Sequence, residues 1–342
     1  MTLALQSKFV DLEWQQRNRL LHGTQQPPKG SDPGSPWARL STEVVAARNR
    51  YLNVEPFAQN RIKLRVADGV NDYINASPIT LGKRRYIATQ GPKDTSVNHF
   101  YRMVAEELKS PAVVVMLTQT HEAGKEKCFQ YYPLSKGENP LVISPDDSGD
   151  GFQGHVELES VESHEKSRSE LRRLRLWTST YASEAQSKEI RHLLFSGWPD
   201  FLVPEGEDRA ALIELVRLSA SLNRPSSADT RTHTNGSSIG ADLAATDQDN
   251  PRIIHCSAGV GRSGTFIALD YLLSLLYSGQ LDDLAPDKDP IAETVDLLRQ
   301  QRMMMVQGEG QFYFLYEVMR EQFQLRMQGK DSVAGASQNG AV

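Results

Sequence analysis

The sequence predicts an α/β fold in which a sheet carries helices beside it, in two domains or one large one as far as length goes, and three observations predict it. Runs of β-type residues recur through the first half, the final third has helical spacing, and no internal repeat suggests a duplicated domain. With 342 residues, 39% apolar and 24% charged, the chain has ordinary globular composition and enough apolar material for a sizeable core, which excludes disorder throughout.

Residues 22–37 (HGTQQPPKGSDPGSPW) are rich in Pro, Gly and Ser and read as an extended lead-in, with ordered structure on either side. Tyr73 to Ser77, Arg85 to Gln90 and Ala112 to Leu117 are β-type runs, the last continuous enough to be a buried strand. Between them, Asn98 to Leu108 has helical spacing with Phe100, Met103 and Val104 on one face. Residues 135–154 are a loop by composition. The runs His155 to Val161 and Glu170 to Thr178 then alternate well enough to pair antiparallel, with Arg172, Arg173 and Arg175 on the wet face. Pro204 to Leu218 is helical, striped by Leu212, Leu215, Val216 and Leu218, and the polar stretch 219–250 reads as a surface insertion. The final third holds helices at Ser263 to Tyr277, Pro290 to Arg302, where Pro suits a first turn, and Gln311 to Arg326. The last dozen or so residues are small and polar, and are expected to fray.

The 38 Lys and Arg against 43 Asp and Glu leave a net charge of −5, which excludes the strongly basic footprint of a nucleic-acid binder. Two cysteines, Cys128 and Cys256, are too few for a disulfide framework and point to a reducing compartment. Neither a signal peptide nor an apolar run of about 18 residues is present. The sequons at Asn75 and Asn235 are therefore chance matches.

Chemistry concentrates in Arg252 to Leu269, RIIHCSAGVGRSGTFIAL. A short β-type run leads into Cys256, five residues precede Arg262, and an apolar helical pattern follows at once. The small residues Ser257, Ala258, Gly259 and Gly261 let successive N–H groups turn inward, and the helix adds its positive N-terminus, so the segment forms an anion cradle sized for phosphate. Amide dipoles and a guanidinium there depress the Cys256 pKa below the free value of about 8.5. Arg262 offers the two-pronged fork that suits phosphoryl oxygens.

The ten residues HCSAGVGRSG resemble the signature loop of the protein tyrosine phosphatases, and further motifs in that family's order extend the resemblance from Tyr51 to Tyr316. It implies a central, highly twisted mixed sheet flanked by helices, spanning a catalytic domain at 41–326, after a helical or extended lead-in at 1–40 and before a flexible tail at 327–342. It implies Cys256 as nucleophile, Arg262 as phosphate binder, and Ser263 as the hydroxyl that stabilises the departing thiolate. The Trp198 to Asp200 triplet (WPD) resembles the mobile acid loop, with Asp200 as general acid and then base, and Phe201 at the rim. Leu202 stands where many relatives have Gly.

VQGEGQFYFLY resembles the glutamine-bearing loop, so Gln307 would orient the hydrolytic water with support from Gln311. Arg299 and Arg302 would receive acidic substrate flanks, while Met303 to Met305 would pack. ARNRYLNVEPF resembles the phosphotyrosine-recognition loop, with Tyr51 as a pocket wall and Asn53, in place of the usual Asp, meeting the peptide backbone. Ala258 and Val260 would lie near the floor, and the backbone of Ser257, Gly259 and Gly261 would cradle the phosphate. In THEAGKEKCFQYYP, Glu122 would fix Arg262, Lys127 would reach Asp200 or the phosphate, and Tyr131 would bond His255. Tyr132 replaces the usual Trp, and Cys128 is structural. Neither metal nor organic cofactor is implied. The expected partners are phosphotyrosine-containing proteins, signalling kinases among them, rather than nucleic acid or membrane, for a monomer in the cytoplasm or nucleus. A pseudophosphatase would lose Cys, Arg or acid, all present here, and a phosphoinositide enzyme would place basic residues inside the SAGVG loop, which has none.

Overall fold

The computed structural model describes residues 2–25, 34–137, 139–146, 148–180, 183–199, 202–224, 243 and 248–338. The chain runs α1 (Thr2–Thr24), α2 (Glu43–Arg48), β1 (Ala76–Leu81), β2 (Arg84–Thr89), α3 (Val97–Glu107) and β3 (Ala112–Met116). A small hairpin follows, β4 (His121–Glu122) and β5 (Lys125–Glu126), then β6 (Leu141–Ile143), β7 (Gln153–His164), β8 (Ser169–Thr180), β9 (Ser183–Phe195) and α4 (Gly206–Leu222). The order closes with β10 (Gln248–His255), α5 (Gly261–Tyr277), α6 (Pro290–Gln301) and α7 (Glu309–Gln338).

Eight strands form one mixed sheet in the order β1-β2-β10-β3-β9-β8-β7-β6. The central four, β2, β10, β3 and β9, are mutually parallel. Their C-terminal ends therefore share one edge, the place where open α/β sheets bind ligands.

The unbroken apolar run of β3 has a direct cause. Val113 and Val115 face the layer built from α1 and α4 to α7, and Val114 and Met116 face the α3 layer, so both faces of the strand are buried. Each such fully buried side chain contributes roughly 1.5 to 3 kcal/mol. Helix α5 is pinned beneath the site by Asp270, which accepts hydrogen bonds from Arg84 on β2, Arg252 on β10 and Tyr86. That fixes where the helix N-terminus points.

Several sequence expectations need correction. The first strand starts at Ala76 rather than Tyr73, which makes an isolated bridge to Lys63 instead. The loop predicted at 135–154 contains the edge strand β6, and β9, which the sequence did not suggest, is the longest strand of the sheet at 13 residues. Arg172 is not on a wet face: it is 5% exposed, with its guanidinium 4.7 Å from the ring centre of Tyr132. It shares the two-residue period of the core residues Leu174 and Leu176, whereas Arg173 and Arg175 lie half-buried on the other face. Most of the polar stretch 219–250 lies outside the described residues. Its described ends finish α4 and begin β10.

Candidate active site

Strand β10 ends at His255 and α5 starts at Gly261, and the turn between them wraps the Cys256 sulfur. The Gly259 N–H lies 3.3 Å and the Ser263 hydroxyl 3.4 Å from Sγ. Helix α5 begins with no side-chain cap, so its first amides are not spent on a capping side chain. Burial alone would raise the Cys256 pKa. The hydroxyl and amide of Ser263, the Arg262 charge and the Gly259 amide outweigh it, and the pKa is lowered. Gly259 has φ +72°, and a Cβ there would sit 2.1 Å from the Thr89 carbonyl oxygen, so this position needs glycine.

Arg302 explains why the cradle amides face the sulfur. It donates to the carbonyls of Gly259 (2.9 Å) and Ala258 (3.1 Å), and is anchored by Asn75 Oδ1 at 2.7 Å. A trans peptide holds N–H opposite C=O, so drawing these two carbonyls back aims the Gly259 and Val260 amides the other way. The acidic-flank expectation for Arg299 and Arg302 is overturned, since both are fully buried. Arg299 instead donates to the carbonyls of Met305 and Val306, each at 3.0 Å.

The Arg262 guanidinium meets both carboxylate oxygens of Glu122, at 2.6 and 2.9 Å, and the Leu117 carbonyl at 3.1 Å. Burial would raise the Glu122 pKa, but the Arg262 hydrogen bonds and charge, with donors from Thr118 and Gln119, lower it. Glu122 stays ionised and fixes the arginine plane.

A buried relay lies behind the cysteine. Tyr131 Oη is 2.6 Å from His255 Nε2 and 2.9 Å from His192 Nε2, and His255 Nδ1 is 3.1 Å from the Cys256 carbonyl oxygen. A carbonyl only accepts, so His255 carries its proton on Nδ1, Tyr131 donates to His255 Nε2, and His192 Nε2–H donates to Tyr131. Burial keeps both imidazoles neutral, bringing His255 down to about 4 and His192 well below 6.5. His192 escaped the sequence reading because β9 did.

These residues open onto a cavity of about 490 Å³. Its floor and walls include Cys256, Ser257, Ala258, Gly261, Arg262 and Glu122, and its mouth includes Tyr51, Asn53, Lys127, Gln307 and Gln311. Tyr51 Oη is 2.8 Å from Ser257 Oγ. The Tyr51 segment is held from behind by Arg50, which donates to the carbonyls of Gly91 and Pro92. Val260 does not lie at the floor: it is fully buried in the core, and its carbonyl accepts from Gly264 and Val306. Trp198 is 4% exposed and donates to the Leu202 carbonyl at 3.1 Å. Asp200 and Phe201 lie outside the described residues.

Against this geometry, a family model for protein-tyrosine phosphatase matches residues 46–321. The chain belongs to the protein-tyrosine phosphatase family. Similar relatives include tyrosine-protein phosphatase 1 of Saccharomyces cerevisiae, 33% identical over 80% of this chain and 82% of that protein. Tyrosine-protein phosphatase 2 of Schizosaccharomyces pombe is 32% identical over 84% of this chain and 36% of its own length. Human tyrosine-protein phosphatase non-receptor type 9 is 32% identical over 80% of this chain and 41% of its own length. The chain thus spans well under half of these last two relatives.

Among solved structures, the catalytic domain of human protein tyrosine phosphatase non-receptor type 18 superposes with TM-score 0.66 at 26% identity, covering 94% of this chain and 96% of that one. PTPN18 in complex with HER2 phosphopeptides is similar at TM-score 0.65 and 27% identity, over 93% of this chain and 99% of that one. The mixed sheet with helices on both faces is the phosphatase fold that the sequence predicts. No helix among the described residues is long and apolar enough to cross a membrane.

Proposed function

We propose that this chain hydrolyses phosphotyrosine in proteins through a cysteinyl-phosphate intermediate. One observation carries the proposal: a cysteine at the base of an open cavity whose pKa is lowered against its own burial, beside an arginine braced by a carboxylate. The Cys256 thiolate attacks phosphorus and the bond to the tyrosyl oxygen breaks, while the cradle amides and Arg262 take the equatorial oxygens and Asp200 protonates the leaving group. Gln307, supported by Gln311, then orients a water. Asp200 accepts the water's proton, the S–P bond breaks, and Ser263 stabilises the returning thiolate.

Tyr51 and Phe201 flank the substrate ring, Asn53 meets the peptide backbone, and Lys127 serves the phosphate side or Asp200. The phosphopeptide complexes of PTPN18 support a phosphotyrosyl peptide as ligand, and the non-receptor relative is in keeping with our reading of a protein that works in the cytoplasm, as a monomer, on signalling proteins. Turnover of a phosphotyrosyl peptide by Cys256→Ser is the test. Loss of at least about 10⁴-fold with retained peptide binding is expected, Asp200→Ala should slow chemistry and hold substrate bound, and an active Cys256→Ser enzyme ends the thiolate proposal.

A further inference from the structure

The turn that presents Gln307 has an unusual backbone. Met304 and Val306 have φ of +59° and +56°, a region that a β-branched residue such as Val306 strongly disfavours. Such a conformation persists only where its surroundings over-determine it. Part of that constraint is local. The Val306 N–H donates to the Val260 carbonyl (3.2 Å), and Arg299 on α6 donates to the carbonyls of Met305 and Val306.

The rest comes from α1, some 290 residues earlier in the chain. Gln16, 4% exposed, accepts from the Met304 N–H at 3.3 Å. Glu13 Oε1 lies 2.8 Å from Arg299 Nη1, the third nitrogen of the guanidinium whose other two hold the turn. Phe9 lies 5.4 Å from the same guanidinium and 5.7 Å from the ring of Phe312, one residue beyond Gln311. Glu13 is the counter-charge of a fully buried arginine whose burial otherwise disfavours its ionised form.

We infer that α1 is a positioning element for the hydrolytic half of the reaction: Glu13 and Gln16, acting through Arg299 and the Met304 to Val306 turn, set where Gln307 holds the water. The inference rests on the reading of Gln307 given above. Cysteinyl-phosphate formation does not use Gln307, so losing the Glu13 and Gln16 contacts slows the second step and spares the first.

Rapid mixing of the full chain with p-nitrophenyl phosphate separates the two steps, since the initial burst of nitrophenol reports phosphorylation of Cys256 and the steady rate reports hydrolysis once that step limits. Glu13→Gln is expected to lower the steady rate about threefold, and the double variant with Gln16→Leu about tenfold, with the burst rate within about twofold of the unaltered chain. Adding Gln307→Ala to that double variant should bring little further loss beyond Gln307→Ala alone. Lys8→Ala, which removes the α1 contact to Asp289 at 2.5 Å, controls for general loosening and should leave both rates unchanged. A steady rate unchanged in the double variant, a parallel fall of both rates, or an equal effect of Lys8→Ala overturns the positioning role. An unaltered chain that releases no nitrophenol overturns the phosphatase reading, a different failure.

Discussion

From Cys256 to Gly261 every backbone carbonyl accepts a hydrogen bond: from His255, Gly91, Arg302, Arg302 again, the amides of Gly264 and Val306, and the Thr265 hydroxyl in turn. The rim offers the contrast. Tyr51 is 36% and Leu202 65% exposed, and Asn53 is exposed too. A floor in which the carbonyls are all engaged elsewhere has its amides pre-aimed at an anion, so no reorganisation is needed when charge arrives. A rim built from exposed side chains can vary in sequence without disturbing that floor. On the proposed reading, chemistry and selectivity thus sit on parts of the molecule with different tolerance for change.

The contrast breaks most readily at Arg302. Arg302→Met removes the donor for two cradle carbonyls and for Asn75, and leaves them buried without a partner, at about 1 to 3 kcal/mol for each group. Denaturant unfolding should show a loss of about 3 kcal/mol. The kcat/KM on a phosphotyrosyl peptide should fall about a hundredfold as the amides drift. Arg302→Lys should rescue little, because one ammonium cannot span the same acceptors. Full activity in Arg302→Met would show that the carbonyl contacts do not set the amide directions.

The histidine relay gives the next largest effect. The folded pKa of His255 is depressed from 6.5 to about 4, so the unfolded chain binds more protons between these values, and stability falls as the pH drops through that window. His192 adds a slope of the same sign. Tyr131→Phe leaves both Nε2 atoms without their shared partner and should cost about 2 kcal/mol at neutral pH. Melting followed from pH 7 to 4 checks both statements. Stability that stays flat to pH 4 in the unaltered chain would mean that the imidazoles are not held neutral.

How much of this was legible in the sequence follows the same division. The cradle is contiguous, so its cysteine, small residues, arginine and following helix announce themselves within one segment. Its supports are not contiguous. The motif places Arg299 and Arg302 at the surface, yet Arg299 shares one face of α6 with Val295 and Leu298, a stripe that marks it as inward, and Arg302 follows just past the helix end with an extended backbone and is buried too. Arg172 shows the same in a strand, where its parity with Leu174 and Leu176 was the available signal. Strand β9 begins with a polar run, SEAQSKE, that pairs antiparallel with its chain neighbour β8, while Ile190 to Leu194 pair with β3 across a long separation. No local pattern encodes that pairing.

At the rim the expected effects are small, and their smallness sharpens the comparison. Asn53 lines the mouth of the cavity, exposed, on a segment whose backbone is fixed by Arg50 rather than by its own side chain. Asn53→Asp adds a charge in high dielectric, where an interaction with a peptide N–H gains well under about 1 kcal/mol. The expected outcome is a KM for a phosphotyrosyl peptide lowered about threefold with kcat unchanged, because the added interaction is equal in the ground and transition states. Raised salt should erase the gain, and p-nitrophenyl phosphate, which has no peptide backbone, should show none. A change in kcat from this substitution would mean that the rim reaches into the chemistry, and that floor and rim are not separable.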